Sequence, residues 1–137
     1  MRLKHTVLLL PALALAACSP PADRAEFVSK APAAKIVGEP VSCITTSTIR
    51  DTKVHDDRTI DFITTGSRIY RNTLPGTCPR LGFEEGFTYT VHTSRLCDTD
   101  IIYVLDRTAG DLRRGAGCGL GKFVPVEYAE GSALQGS

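Results

Sequence analysis

Ile49-Arg50-Asp51-Thr52-Lys53-Val54-His55-Asp56-Asp57-Arg58-Thr59-Ile60-Asp61-Phe62-Ile63-Thr64 reads as a β-hairpin. Ile60 and Phe62 alternate with Thr59 and Asp61, which makes one face apolar and the other polar. Asp56-Asp57-Arg58 supplies the turn, because aspartate side chains bond the local backbone and tolerate turn geometry. Thr65-Gly66-Ser67 makes a second turn, and Arg68-Ile69-Tyr70-Arg71-Asn72 reads as a third strand. Three short strands in succession form a meander. The expected fold class is all-β: a small, disulfide-bonded antiparallel meander, barrel-like or sandwich-like.

Downstream the pattern continues. Leu74-Pro75-Gly76-Thr77-Cys78-Pro79-Arg80-Leu81-Gly82 is rich in turn formers. Phe87, Tyr89 and Val91 then alternate with Thr88, Thr90 and His92, as a half-buried strand requires. Ile101-Ile102-Tyr103-Val104-Leu105 is apolar throughout and fits a strand covered on both faces. A glycine-rich loop is expected from Ala109 to Gly121, then a last strand, Phe123-Val124-Pro125-Val126. Pro125 lacks an amide donor, which suits an edge or terminal position. No internal repeat and no long helical pattern is visible. The 12 Gly and 8 Pro, with no Trp, suit a loop-rich β domain.

Upstream, Arg2, Lys4 and His5 form a basic region, and Thr6 to Ala14 a short apolar core. That core is too short to span a bilayer, which takes about 20 apolar residues. A small-residue site follows, as in a secretory signal. Leu15-Ala16-Ala17-Cys18 resembles the lipobox of bacterial lipoproteins, which implies lipidation of Cys18 as the first mature residue. Ser19, rather than Asp, follows it, and by the same resemblance this favours the outer membrane. The organisation expected is therefore a signal peptide over 1–17, a lipidated cysteine and flexible tether over 18–40, a β domain over 41–128 and a disordered tail over 129–137. Pro20, Pro21, Pro32 and Pro40 keep the tether out of any central strand. As a free coil it would span about 25 Å r.m.s.. Removing Arg2 and Lys4 takes the formal charge from +1 to −1, so no electrostatic argument favours nucleic acid as a partner.

Four cysteines remain after Cys18: Cys43, Cys78, Cys97 and Cys118. An exported chain with an even count implies two disulfides. Zinc sites usually draw ligands from close pairs, whereas the gaps here are 34, 18 and 20 residues. Four cysteines allow three pairings. Cys78–Cys97 and Cys43–Cys118 are expected, the first tying the proline-rich loop to the end of the Phe87–Val91 strand, the second strapping the domain's ends together.

The motifs that suggest chemistry fail in detail. Gly117-Cys118-Gly119-Leu120-Gly121-Lys122-Phe123 has Phe where a phosphate loop needs Ser or Thr, and Ala116 at its first glycine position. Asp51, Asp56, Asp57 and Asp61, interleaved with Arg50, Lys53 and Arg58, read as a solvated, salt-bridged strand face rather than a calcium loop. They form the candidate polar surface. His55 and His92 are placed on polar strand faces. Ser94, His92 and Asp98 or Asp100 would make a hydrolase triad, but no nucleophile elbow surrounds Ser94. Tyr70, Tyr89 and Tyr103 are read as packing residues. No catalytic residue, metal or cofactor is expected.

One resemblance covers most of the domain. Cys43-Ile44, Ile49-Arg50-Asp51-Thr52, Asp56 through Phe62, Tyr70 through Pro75, Cys78 through Phe83, Phe87-Thr88-Tyr89, Leu96-Cys97 and Cys118 through Phe123 resemble a family of small exported proteins of Gram-negative bacteria with no assigned function. The resemblance implies no activity, ligand or catalytic residue. The expected protein is a lipid-anchored module on the periplasmic side of the outer membrane. Its partners would be the membrane, through Cys18, and an envelope protein. Ligand or metal-ion binding by the Asp51–Asp61 hairpin is the alternative, and a hydrolase the least favoured.

Overall fold

The meander of the central hairpin seeds a five-stranded sheet. The computed structural model describes residues 26–132, so the signal segment, Cys18 and the last five positions lie outside the described residues. In chain order the strands are β1 (Ala34–Ile36), β2 (Cys43–Thr45), β3 (Ile49–Val54), β4 (Thr59–Thr64), β5 (Arg68–Thr73), β6 (Phe87–Tyr89), β7 (Arg95–Cys97), β8 (Ile101–Asp106), β9 (Arg113–Gly119) and β10 (Phe123–Tyr128). Among the described residues a single short α-helix, α1 (Leu81–Glu84), lies between β5 and β6, with three one-turn 3-10 helices elsewhere. The strands form an antiparallel sheet in the order β1-β10-β5-β4-β3, a β2-β7 pair and a β6-β8-β9 sheet. The architecture is all-β and sandwich-like, without barrel closure.

The alternation of the hairpin places its apolar face correctly. Ile60 and Phe62 are fully buried, and the Phe62 ring meets Phe87 and Phe123 edge-on at 6.0 and 5.4 Å. Leu74, Cys78, Leu81, Leu96, Ile102, Val104 and Leu120 complete this core, with Phe87, Tyr89 and Val91 packed against it. The strand from Phe87 is short, ending at Tyr89, but the apolar alternation continues through Val91.

Several expectations are corrected. The 109–121 stretch is largely strand, not loop, since β9 pairs with β8 along Ile101–Asp106. Its glycines make room for side chains opposite: a Cβ on Gly117 would stand 2.9 Å from the Tyr103 ring. Strand β8 is covered on one face only, with Ile102 and Val104 buried and Ile101 exposed. Strand β10 is interior rather than at an edge, because β1 pairs with its outer side. Pro125 is tolerated there because its carbonyl faces the β1 side, where it accepts the Val37 amide at 2.9 Å. In an extended strand a residue's N–H points to the same side as its C=O, so the missing donor leaves the β5 ladder intact.

The described part of the tether expected over 18–40, from residue 26, is built into the fold. Strand β1 pairs Ala34 with Tyr128 and Ile36 with Val126, and Val41 bridges to Phe123. The expected tail also begins within the fold, where the Ala129 amide donates to Ala33.

The disulfides join Cys43 to Cys97 and Cys78 to Cys118, so the expected pairing was wrong while the two-bond frame stands. Register decides the first bond. β2 and β7 set Cys43 directly opposite Cys97, with Cα atoms 4.0 Å apart. The second bond fastens the loop after β5 to β9.

Candidate functional site

The polar face of the hairpin is the site of interest, because it is buried rather than solvated. Thr59 is 1% exposed, Asp61 0% and Asp56 7%. The alternation was read correctly, but the polar side lies beneath the segment from Phe27 to Ala33, which crosses it on the way to β1. Buried carboxylates without partners would be costly, so the surrounding donors carry the explanation.

Asp61 has four such bonds. Arg71 Nε donates to Oδ1 at 2.8 Å and Arg71 Nη2 to Oδ2 at 2.9 Å, a bidentate clamp. His55 Nε2 lies 2.8 Å and the Tyr128 hydroxyl 2.9 Å from Oδ2. Burial pushes the Asp61 carboxyl up, but the bonds from Arg71 and His55, the Arg71 charge and the Tyr128 hydroxyl outweigh it and hold it at about 2. An ionised carboxylate only accepts, so His55 carries its proton on Nε2. Burial, then the bond to Asp61, pushes the Tyr128 phenol up to about 12. The Asp61 bond likewise raises Arg71 above its ordinary value.

Arg71 was not singled out by its type, yet its place follows from the chain. Asp61 and Arg71 stand symmetrically about Gly66, and the β4–β5 register pairs them directly. Tyr128 had no such signal, because it arrives from the far end of the sequence.

Asp56 is the second buried acid. Its Oδ2 accepts the Ser29 hydroxyl and the Lys30 amide, both at 2.9 Å, and its Oδ1 accepts the Arg58 amide at 2.8 Å. The upward push of burial is again outweighed, by the Lys30 and Arg58 amides and by the Ser29 and Thr59 hydroxyls, so Asp56 lies below its ordinary value. Arg71 Nη1 donates to the Pro32 carbonyl at 2.9 Å. The Phe27 ring lies 4.8 Å from the Arg58 guanidinium. The 27–33 segment is thus a strap whose polar atoms meet the two acids and Arg71. Beside it opens a cleft of about 530 Å³, lined by Lys30–Ala33, His55 and Glu130–Ser132.

The remaining candidates are dispersed. Asp57 turns away from the cluster and caps the Gly82 amide at 2.8 Å, while Arg58 donates to the Leu74 and Pro75 carbonyls. Asp51 is exposed on the outer strand β3 and accepts the next amide, Thr52. Arg50 and Lys53 are exposed beside it, which gives that free edge a charged rim. His92 and Ser94 are exposed, as expected, but the triad does not assemble. Asp98 pairs with Lys122 at 2.6 Å, and Asp100 accepts the Cys97 amide at 2.7 Å. Lys122, the one cation of the phosphate-loop-like stretch, is thereby engaged. Tyr70 and Tyr89 pack on the core as expected, and Tyr103 carries Arg114 at 4.5 Å.

Chemically, the polar atoms of this cluster are largely engaged with one another. A histidine oriented by a buried carboxylate suits general-base work. The hydroxyls around it are engaged, however: Ser29 bonds Asp56 and Thr59, and Tyr128 bonds Asp61. The acids of the hairpin are likewise spent on protein donors rather than gathered round a cation. Among the described residues no group of three or more His, Cys, Asp or Glu is placed to hold a metal ion. Comparison of the chain with protein-family models, with curated proteins and with solved structures found no match.

Proposed function

We propose that the protein is a lipid-anchored module of the cell envelope, held through Cys18 on the periplasmic side of the outer membrane, with a structural or partner-binding role there. The observation that carries this reading is the covalent frame. Two disulfides close within a chain that opens with an export signal and a lipobox, and such frames belong to oxidising compartments. The docked strap supports it further, since the described chain downstream of Cys18, from Phe27 onward, is built into the domain. The resemblance to small exported proteins points to the same compartment and brings no activity with it.

Fractionation tests the reading. The wild-type chain is expected in the outer-membrane fraction, with a lipid-modified Cys18 peptide by mass spectrometry. Cys18→Ala is expected in the soluble periplasmic fraction. A Cys18→Ala protein that stays with membranes after a high-salt wash contradicts the anchor. Photocrosslinking from exposed Ile36, on the outer strand of the sheet, is expected to capture an envelope protein in cells.

A further inference from the structure

The strap changes how far the domain stands from its anchor. Eight residues, Ser19 to Glu26, separate Cys18 from Phe27, where the docked strap begins. Even fully extended, that span reaches about 30 Å. The lipid would therefore hold one end of the molecule close to the bilayer: the end that carries Phe27.

That end displays apolar side chains. Phe27 is 39% exposed, Val28 81% and Phe83 79%, the last on α1. The Asp56–Arg58 turn links the two phenylalanines, Phe27 directly and Phe83 through its chain neighbour Gly82. Phe27 stacks on Arg58, while Gly82, the neighbour of Phe83, donates its amide to Asp57 and lies against the Asp56 backbone. Phe83 in turn has the Arg80 guanidinium 5.3 Å from its ring centre. An exposed ring beneath an arginine presents an apolar body with a polar rim, the chemistry that settles at a membrane–water interface. Arg58 spends its donors on neutral carbonyls, whereas Arg80 is paired with Glu84. Exposed Glu26 and Glu85 stand near the same rings in the chain. Charge attraction therefore contributes little, and shallow burial of the rings by a tethered domain is the driving term.

We propose that Phe27, Val28 and Phe83, with Arg58 and Arg80 at their rims, form a seating face that rests in the phospholipid headgroup layer beside lipidated Cys18. This rests on the lipoprotein reading above. Orientation follows from it: the opposite end, with the Thr65–Ser67 turn, faces away from the bilayer and toward a partner.

The chain has no Trp, so single reporters are clean. Full-length Phe83→Trp, Phe27→Trp and Thr65→Trp chains, purified from membranes, are reconstituted into phosphatidylethanolamine–phosphatidylglycerol vesicles containing a headgroup nitroxide lipid. Thr65 is exposed at the other end of β4, so its reporter serves as the distal reference. The Phe83→Trp and Phe27→Trp reporters are expected to be quenched severalfold more than the Thr65→Trp reporter and to emit at shorter wavelength. Equal quenching of all three in vesicle-bound protein overturns the seating face and leaves the anchor intact. Protein that floats free of the vesicles overturns both. Unchanged melting temperatures of the three variants confirm that the comparison is made on folded protein.

Discussion

Asp61 is the residue around which the polar face closes. Unfolded, its carboxyl titrates near 3.8; folded, it is held at about 2. A lowered folded value means that its contribution is complete above about pH 4 and is lost as the pH falls toward 2. The shift corresponds to roughly 2 kcal/mol. Tyr128 works in the other direction. Its raised value contributes stability below pH 10 that fades as the pH climbs toward 12. Asp61→Asn keeps the shape but removes the charge that Arg71, His55 and Tyr128 address. It is expected to destabilise by about 3 kcal/mol near neutrality, since it strands a partly buried arginine. It should also flatten the stability–pH curve between about pH 4 and 2, which urea melts across that range would register. Wild-type-like melts at both pH values would refute the role given to Asp61. The alternation of Thr59-Ile60-Asp61-Phe62 correctly separated the two faces. It could not reveal that the polar face is covered, because the cover is a segment more than 25 residues earlier whose bonds, apart from the Ser29 hydroxyl, run through backbone atoms such as the Lys30 amide and the Pro32 carbonyl, and backbone bonding leaves no mark on residue type.

At the scale of elements, the hairpin and the meander were readable because turn residues and period-two alternation are local signals. The strap and β9 were not. Prolines argued for a free tether, yet Pro32 serves by its carbonyl, and the strap crosses the sheet face, where no ladder donor is needed. Glycines argued for a loop in 109–121, yet in β9 they accommodate the neighbouring side chains of β8. The turn that joins β9 to β10 is pinned by one side chain. Asn72, 0% exposed, donates to the Gly121 carbonyl at 2.7 Å and accepts its amide at 2.8 Å. A Cβ at Gly121 would collide with the Thr73 carbonyl oxygen. Gly121→Ala is therefore expected to cost about 2–4 kcal/mol in a denaturant melt, at the upper end for single substitutions. Gly76→Ala, with open space around it and no positive φ, is the comparison and should be near neutral.

The whole molecule is braced by two covalent ties across sequence separations of 54 and 40. In the chain-entropy account each contributes about 4 kcal/mol, and a domain of this size buries a modest core. The presence of two bonds followed from an even count together with the expectation of an exported chain. Their pairing did not, because the β2–β7 register that sets Cys43 opposite Cys97 joins two three-residue strands with no alternation long enough to recognise. Non-reducing peptide mapping is expected to return Cys43–Cys97 and Cys78–Cys118. Recovery of Cys78 joined to Cys97 would mean that the β2–β7 pair is misplaced.

The central claim is that the chain from Phe27 onward is clasped over two buried acids rather than left as a free tether. Amide hydrogen exchange on the folded chain tests it most directly. The Lys30 amide, bonded to Asp56, and the Val37 amide, bonded to Pro125, are expected to exchange far more slowly than free-chain amides. Asp56→Ala should release Lys30 while leaving Val37 protected. Exchange of both amides in the wild type at free-chain rates would contradict the clasp, and with it the proposed seating face.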